Sequence, residues 1–370
     1  MTAGDAGNPP WVLVLERPSC DPALRLGGLS LALRLSLDAQ AAAAAAIVVP
    51  DDAAAARAPL SDPRLRIPVS REIPPGARTL RVRGSELVHR SHFRSVLAAA
   101  PPGATELKLD AAPERPAYGF DPIDISDRAS LRAAEKALFR SLRKAEDGWT
   151  SRYLNRYLSL ALSRLLVRTP LHPNQISVLI LGVGVLGAVF AARGQFVLGA
   201  FLFQAQSVLD GCDGEVSRVT HRGSLTGEWL DTIGDDLTNY GFFAGAGYGL
   251  YQTTGSLLYL AAGLVTVLSG IVASAFEYRY LARIGSGDLL KYPLSRATSE
   301  AVNRPAARGF SLSALAPLFK RDTFVLLTLL AAITGLLGGM LCLFAAAALG
   351  ILVAVLRTEL RLAREAARVA

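Results

Sequence analysis

Four aspartates carry the chemistry of this chain, Asp210 and Asp213 in QAQSVLDGCDGEVSR and Asp231 and Asp235 in GEWLDTIGDDLTNYGFF. Both stretches run into long apolar segments, and a carboxylate at bilayer depth costs several kcal/mol. On a helix, the i, i+3 spacing of Asp210 and Asp213 puts both on one face. The i, i+4 spacing of Asp231 and Asp235 does the same. The segment between them is short, so the two helices are antiparallel neighbours whose acidic pairs can face each other. Four converging carboxylates repel and are driven to protonate unless something neutralises them. Divalent cations do so, since Mg²⁺ and Mn²⁺ prefer oxygen ligands and two ions can share carboxylates. The alternative is a structural ion-pair cluster with Arg218 and Arg222. Gly211, Gly214, Gly227 and Gly234 leave room where backbone and ligand approach closely, although glycine in a membrane helix also serves packing alone.

The elements that position these residues follow from hydropathy. Residues 1–150 are rich in Ala, Pro, Arg and Asp, while residues 175–360 hold nearly all the long apolar runs. Six segments are long enough to span a bilayer, near 175–193, 196–217, 225–250, 255–280, 322–338 and 339–360. The net charge of +8 lies largely in loops beside them, which fits anionic lipid rather than nucleic acid. SRVTHRGS, the stretch from Arg279 to Asp322 and the tail from Arg357 are basic, whereas AARGQ, YQTTGS and GLLGGM carry one Arg between them. The positive-inside rule then sets the basic loops and both termini in the cytoplasm, with the active site at that face. Cys20, Cys212 and Cys342 define neither a disulfide framework nor a zinc site, so a reducing compartment fits. No signal peptide is expected at the N-terminus.

Ahead of the first apolar segment, Leu154, Leu158, Leu162 and Leu165 alternate with Arg152, Arg156 and Arg164 at helical period. This predicts an amphipathic helix in the membrane interface, within 146–172. Asn174, after Pro170 and Pro173, is placed to cap the first span. In residues 1–145, WVLVLE, AAIVVP and RTLRVRG read as buried strands around a helix in GGLSLALRLSLDAQAAAA. Strand, helix, strand predicts a small cytoplasmic α/β domain with a parallel sheet. His89 and His92 read as residues of a surface helix.

The spacing of these residues is similar to a family signature. D-x-x-D-G-x-x-A-R followed by G-x-x-x-D-x-x-x-D marks the CDP-alcohol phosphotransferases. The chain matches it with Asp210, Asp213, Gly214, Ser217, Arg218, Gly227, Asp231 and Asp235, Ser217 standing where Ala is usual. Eight residues separate Arg218 from Gly227. The resemblance covers residues 145–360. It implies an all-α membrane domain of six helices over 173–370 and two divalent ions, Mg²⁺ or Mn²⁺, on Asp210, Asp213, Asp231 and Asp235. It also implies that Asp235 is the base that takes the acceptor's proton as CMP leaves a CDP-alcohol. Gly214, Ser217 and Arg218 match positions lining the CDP pocket. PNQIS resembles the start of the family's first span, which places Asn174 and Ser177 on the nucleotide side, with helix capping as their alternative role.

KAEDGWTSRYLNRYLSLALSRLLVRTPLHPNQIS and KRDTF further resemble bifunctional inositol-phosphate cytidylyltransferase/di-myo-inositol phosphate phosphate synthases. That implies CDP-inositol as donor and inositol phosphate as acceptor, beside the broader expectation of a CDP-alcohol and a lipid or other alcohol. Lys320, Arg321 and Arg357 are acceptor-pocket candidates by location, and ordinary cytoplasmic charges otherwise. The N-terminal domain lacks the glycines and Arg of a nucleotidyltransferase phosphate loop, having VLVLERPSCDPALRLGGLSLALR instead. A degenerate nucleotidyltransferase-like domain is expected, without cytidylyl transfer. The family commonly dimerises through its membrane helices, so a homodimer is compatible with the resemblance. The rival classes are a cation transporter using the Asp cluster and an inactive membrane scaffold. Multi-pass residence in the inner, cytoplasmic membrane is expected.

Overall fold

The computed structural model describes residues 9–21, 24–101, 103–109, 118–144, 147, 148, 150–296 and 320–369. Much of the basic loop expected before the fifth apolar segment, residues 297–319, lies outside them. The chain divides into two compact units, residues 1–145 with 218–221, and residues 146–217 with 222–370.

The first unit is built on a parallel five-stranded sheet. Its strands are β1 (Trp11–Glu16), β2 (Ala46–Val48), β3 (Val69–Ser70), β4 (Arg78–Arg83) and β5 (Glu106–Leu107), in the order β3-β2-β1-β4-β5. β1 is apolar on both faces because both are covered. Val12 and Val14 pack with Ala46 and Val48 on one side, and Trp11, Leu13 and Leu15 join the larger core on the other. Helix α1 (Leu31–Ala41) connects β1 to β2, and Ser30 caps it by accepting the Leu33 N–H. Helices α2 (Arg90–Ala99) and α3 (Arg128–Arg140) follow. His89 caps α2, while His92 is buried rather than on the surface. Within this unit the Asp38 carboxylate is buried, 3.6 Å from His221 Nε2.

The second unit is helical. A turn of π-helix at Ser151–Asn155 leads into α4 (Arg156–Leu166). Then come α5 (Pro173–Ala192), α6 (Phe196–Thr220), α7 (Leu225–Thr254), α8 (Leu257–Ile284), α9 (Arg321–Ile333) and α10 (Leu337–Val369). The cap of α5 is His172, not Asn174. Pro173 takes the first helical position, where its missing N–H does no harm, and the cap lies two residues upstream of Asn174. The expected boundary after 338 falls earlier: α9 ends at Ile333, and Gly335 turns the chain with φ +76°.

Among the described residues, three helices are long and apolar enough to cross a membrane: Pro173–Ala192, Leu257–Ile284 and Leu337–Glu365. Helices α6 and α7 carry the acidic residues and α9 has 13 residues. Leu179, Leu186, Leu258, Leu268 and Leu349 are exposed on the apolar helices, which fits lipid contact. Helices α5 and α7 approach closely, so that a Cβ on Gly245 or Gly249 would strike the carbonyl oxygens of Ala188 and Ala191. Phe203 of α6 stacks on Phe242 of α7 with centroids 4.4 Å apart. Phe243, Phe324 and Phe344 extend this core to α9 and α10.

Helix α4 is amphipathic with the opposite sense from that expected for Arg156. Tyr153, Leu154, Tyr157, Leu158 and Leu165 face outward, whereas Asn155, Arg156, Ser159 and Ser163 are buried. The polar side is turned inward because α6 offers it a buried carboxylate, Glu215.

Candidate active site

Helical spacing brings Asp231 and Asp235 of α7 to Asp210 of α6, and each offers a carboxylate oxygen within 4.8 Å of the others. This donor set of clustered oxygens suits Mg²⁺ or Mn²⁺ and offers neither the imidazole nor the thiolate that softer metals favour. Asp213 projects from the same helix toward α5 instead. Its carboxylate accepts the Ser177 hydroxyl and, at 2.5 Å, the Gly214 N–H.

The first turn of α5 lies close to the start of α7. A Cβ on Gly227 would come within 3.0 Å of Asn174 Oδ1, so glycine there permits the approach. Asn174, Ser177, Asp213 and Gly227 therefore flank one end of the site. Ser217 faces the α6–α7 turn, its carbonyl accepting the Arg222 N–H at 3.1 Å. Arg218 follows in the last turn of α6. Around Gly234 there is open space. The room expected at Gly211 is filled by the chain itself, since a Cβ there would meet Ser159 at 3.2 Å and Arg156 at 3.3 Å.

Arg321, at the start of α9, enters the carboxylate cluster. Its Nη1 is 2.9 Å from Asp235 Oδ1 and 3.2 Å from Asp210 Oδ2, and its Nη2 donates to Gln206 Oε1 at 2.7 Å. A guanidinium between two carboxylates offsets their repulsion. Its location had marked it only as an acceptor-pocket candidate. Gln206 and Asn239, which also bonds Arg321, went unnoticed in the sequence. The signal was there, because Gln206 is one turn before Asp210 and Asn239 one turn after Asp235. Lys320 is the residue flanking α9, and Arg357 is exposed on α10. Asp236 faces α8, where its carboxylate accepts the hydroxyls of Ser274 and, at 2.7 Å, Tyr278.

The family model for CDP-alcohol phosphatidyltransferase matches residues 170–356, just over half of the chain. The chain is 31% identical over 166 residues to the bifunctional IPC transferase and DIPP synthase of Rubrobacter xylanophilus, covering 44% of this chain and 36% of that protein. The protein of the same name from Archaeoglobus fulgidus is 29% identical over 171 residues, 46% of this chain and 33% of that protein. The chain thus spans about a third of the length of the curated relatives it matches. Among solved structures, phosphatidylinositol phosphate synthase of Mycobacterium tuberculosis with CDP-DAG bound overlaps with a TM-score of 0.41 at 20% identity. That overlap covers 55% of this chain and 93% of that one. Transporter and scaffold readings are set aside by the family match: the chain belongs to the CDP-alcohol phosphatidyltransferase family, whose members are transferases.

Proposed function

We propose that the chain transfers a substituted phosphate group from a CDP-alcohol to an acceptor alcohol, releasing CMP, at the cytoplasmic face of the inner membrane. The observation that carries this reading is the convergence of Asp210, Asp231 and Asp235 on adjacent helices inside the region of the family match. In it, α5 to α10 all cross the membrane, with both termini cytoplasmic.

Asp210, Asp213, Asp231 and Asp235 would hold two divalent ions. When bound, such ions neutralise the donor's pyrophosphate and the carboxylates themselves. Gly214, Ser217, Arg218, Asn174 and Ser177 bind and orient the nucleotide, Arg218 through its guanidinium to a phosphate oxygen. Asp235 Oδ takes the proton of the acceptor hydroxyl. The acceptor oxygen then forms its bond to the β-phosphorus as the bond from that phosphorus to the bridging oxygen breaks, and CMP departs with the electron pair. Positioning and charge neutralisation are the usual means of phosphoryl transfer.

A second reading names the substrates. The relatives called bifunctional IPC transferase and DIPP synthase favour CDP-inositol as donor and inositol phosphate as acceptor. The N-terminal domain, without a phosphate loop, makes no CDP-alcohol in either reading. Membranes carrying the protein, supplied with CDP-diacylglycerol, CDP-inositol or CDP-glycerol and labelled acceptors, test both. Metal-dependent CMP release with one donor is expected. Release with none of the donors, under any acceptor, counts against the assignment.

A further inference from the structure

Glu215 lies inside the aspartate motif yet takes no part in the cluster. It is fully buried, at 0% exposure, and its partners all come from the segment that precedes the first long apolar helix. Arg156 Nη1 donates to Glu215 Oε1 at 2.7 Å, the Ser159 hydroxyl to Oε1 at 2.8 Å and the Ser163 hydroxyl to Oε2 at 2.7 Å. Arg156 grips Asp147 with its other edge, at 2.7 and 2.8 Å. The same face of α6 continues through Gly211, which admits Ser159 at close range, to Gln204, whose Nε2 donates to Asn155 Oδ1 at 3.2 Å. Gln204, Gly211 and Glu215 form a stripe at seven- and four-residue spacing, which is one side of a helix. That stripe is between about a third and about half of a turn from Asp210, Asp213 and Ser217.

The other end of the segment is tied to α9. Asp322 accepts the Ser151 N–H at 2.6 Å, and Asp322 is the neighbour of Arg321, which reaches Asp210 and Asp235. The segment 150–163 is therefore bonded to α6 and α9, two of the three helices that supply the centre of the site. A rotation of α6 that frees Glu215 from Arg156 also moves Asp210 relative to α7 and Asp213 relative to α5.

We infer that the segment 150–163 is a brace that sets the rotation of α6, with Arg156 and Glu215 as positioning residues for Asp210 and Asp213. Neither touches the reacting atoms. The inference rests on the reading of Asp210 and Asp213 as cation ligands. Groups that hold metal ligands in place commonly change metal affinity by about 10- to 100-fold when altered.

The test is Mn²⁺ titration of the purified full chain, followed by electron paramagnetic resonance, with melting temperature recorded in parallel. Glu215→Gln is expected to weaken Mn²⁺ binding about tenfold. Should that variant fail to fold, Ser159→Ala/Ser163→Ala decides the matter: it removes two hydroxyl donors without changing charge and is expected to weaken binding about threefold. Arg156→Lys, which keeps the charge, is expected to retain more affinity than Arg156→Met. Asp210→Asn is the control for the underlying reading. If it weakens Mn²⁺ binding while the folded serine variant and any folded Glu215→Gln bind as the wild type does, the brace is overturned. If Asp210→Asn itself leaves binding unchanged, the ligand assignment on which the brace rests fails with it.

Discussion

The Arg321 guanidinium stands 2.9 Å from the Asp235 carboxylate, although 85 residues of sequence lie between them. Arg321 also reaches Asp210, so it is the counter-charge of two carboxylates that the proposed ions need. Removing it makes the site more negative. Arg321→Gln is expected to tighten Mn²⁺ binding severalfold in a spin-resonance titration while lowering the rate of CMP release at least tenfold. Weaker Mn²⁺ binding would mean that Arg321 orders the carboxylates more than it competes for them.

Chelation addresses the cluster directly. EDTA is expected to abolish CMP release, and added Mg²⁺ or Mn²⁺ to restore it. Asp231→Asn, which leaves one carboxylate fewer within the 4.8 Å cluster, is expected to raise the metal concentration needed for half-maximal rate at least tenfold.

Packing between α5 and α7 tolerates no added side chain at Gly249, where a Cβ would run into the Ala191 carbonyl. Gly249→Val is expected to cost about 1–3 kcal/mol or more, because close-packed helices must separate to admit it. A fall in the detergent melting temperature measures this. An unchanged melting temperature would place α5 further from α7 than described.

The buried Asp38 gives the first unit a pH dependence. Burial pushes its carboxyl up to about 7, with Arg34 pulling the other way. An unfolded Asp titrates near ~3.9. Between those values the folded state binds the extra proton, so this contribution to stability is present at low pH and lost as pH rises through about 7. His221 acts in the opposite sense. Burial holds it down at about 3, so stability rises with pH from there to its unfolded value of ~6.5. At pH ~8 only the Asp38 penalty remains. Asp38→Asn is expected to raise the melting temperature by several degrees there and to change it little near pH ~4.

Much of this was written in local spacing. Asp210, Asp231 and Asp235 come together because i, i+4 periodicity and a short turn leave few alternatives. The apolar runs of β1, β2 and β4 also read directly. β3 and β5 did not, since each has two residues and so shows no period. The amphipathic period around Arg156 was visible, but not which face turns inward, because that depends on Glu215 some sixty residues later. Arg321 reads from the sequence as an acceptor-pocket candidate, but not its carboxylate partners, which are set by tertiary packing and not by its neighbours. The cap of α5 was displaced by one proline.

The role of Asp235 is where the proposed chemistry is most exposed to test. Rates of CMP release by the purified wild type and Asp235→Asn, at saturating donor, acceptor and Mg²⁺, decide it. Asparagine keeps the size and an oxygen but cannot take the acceptor's proton. A loss of at least about 1,000-fold with the donor still bound is the expected result. CMP release at the wild-type rate would contradict the assignment of Asp235 as the base.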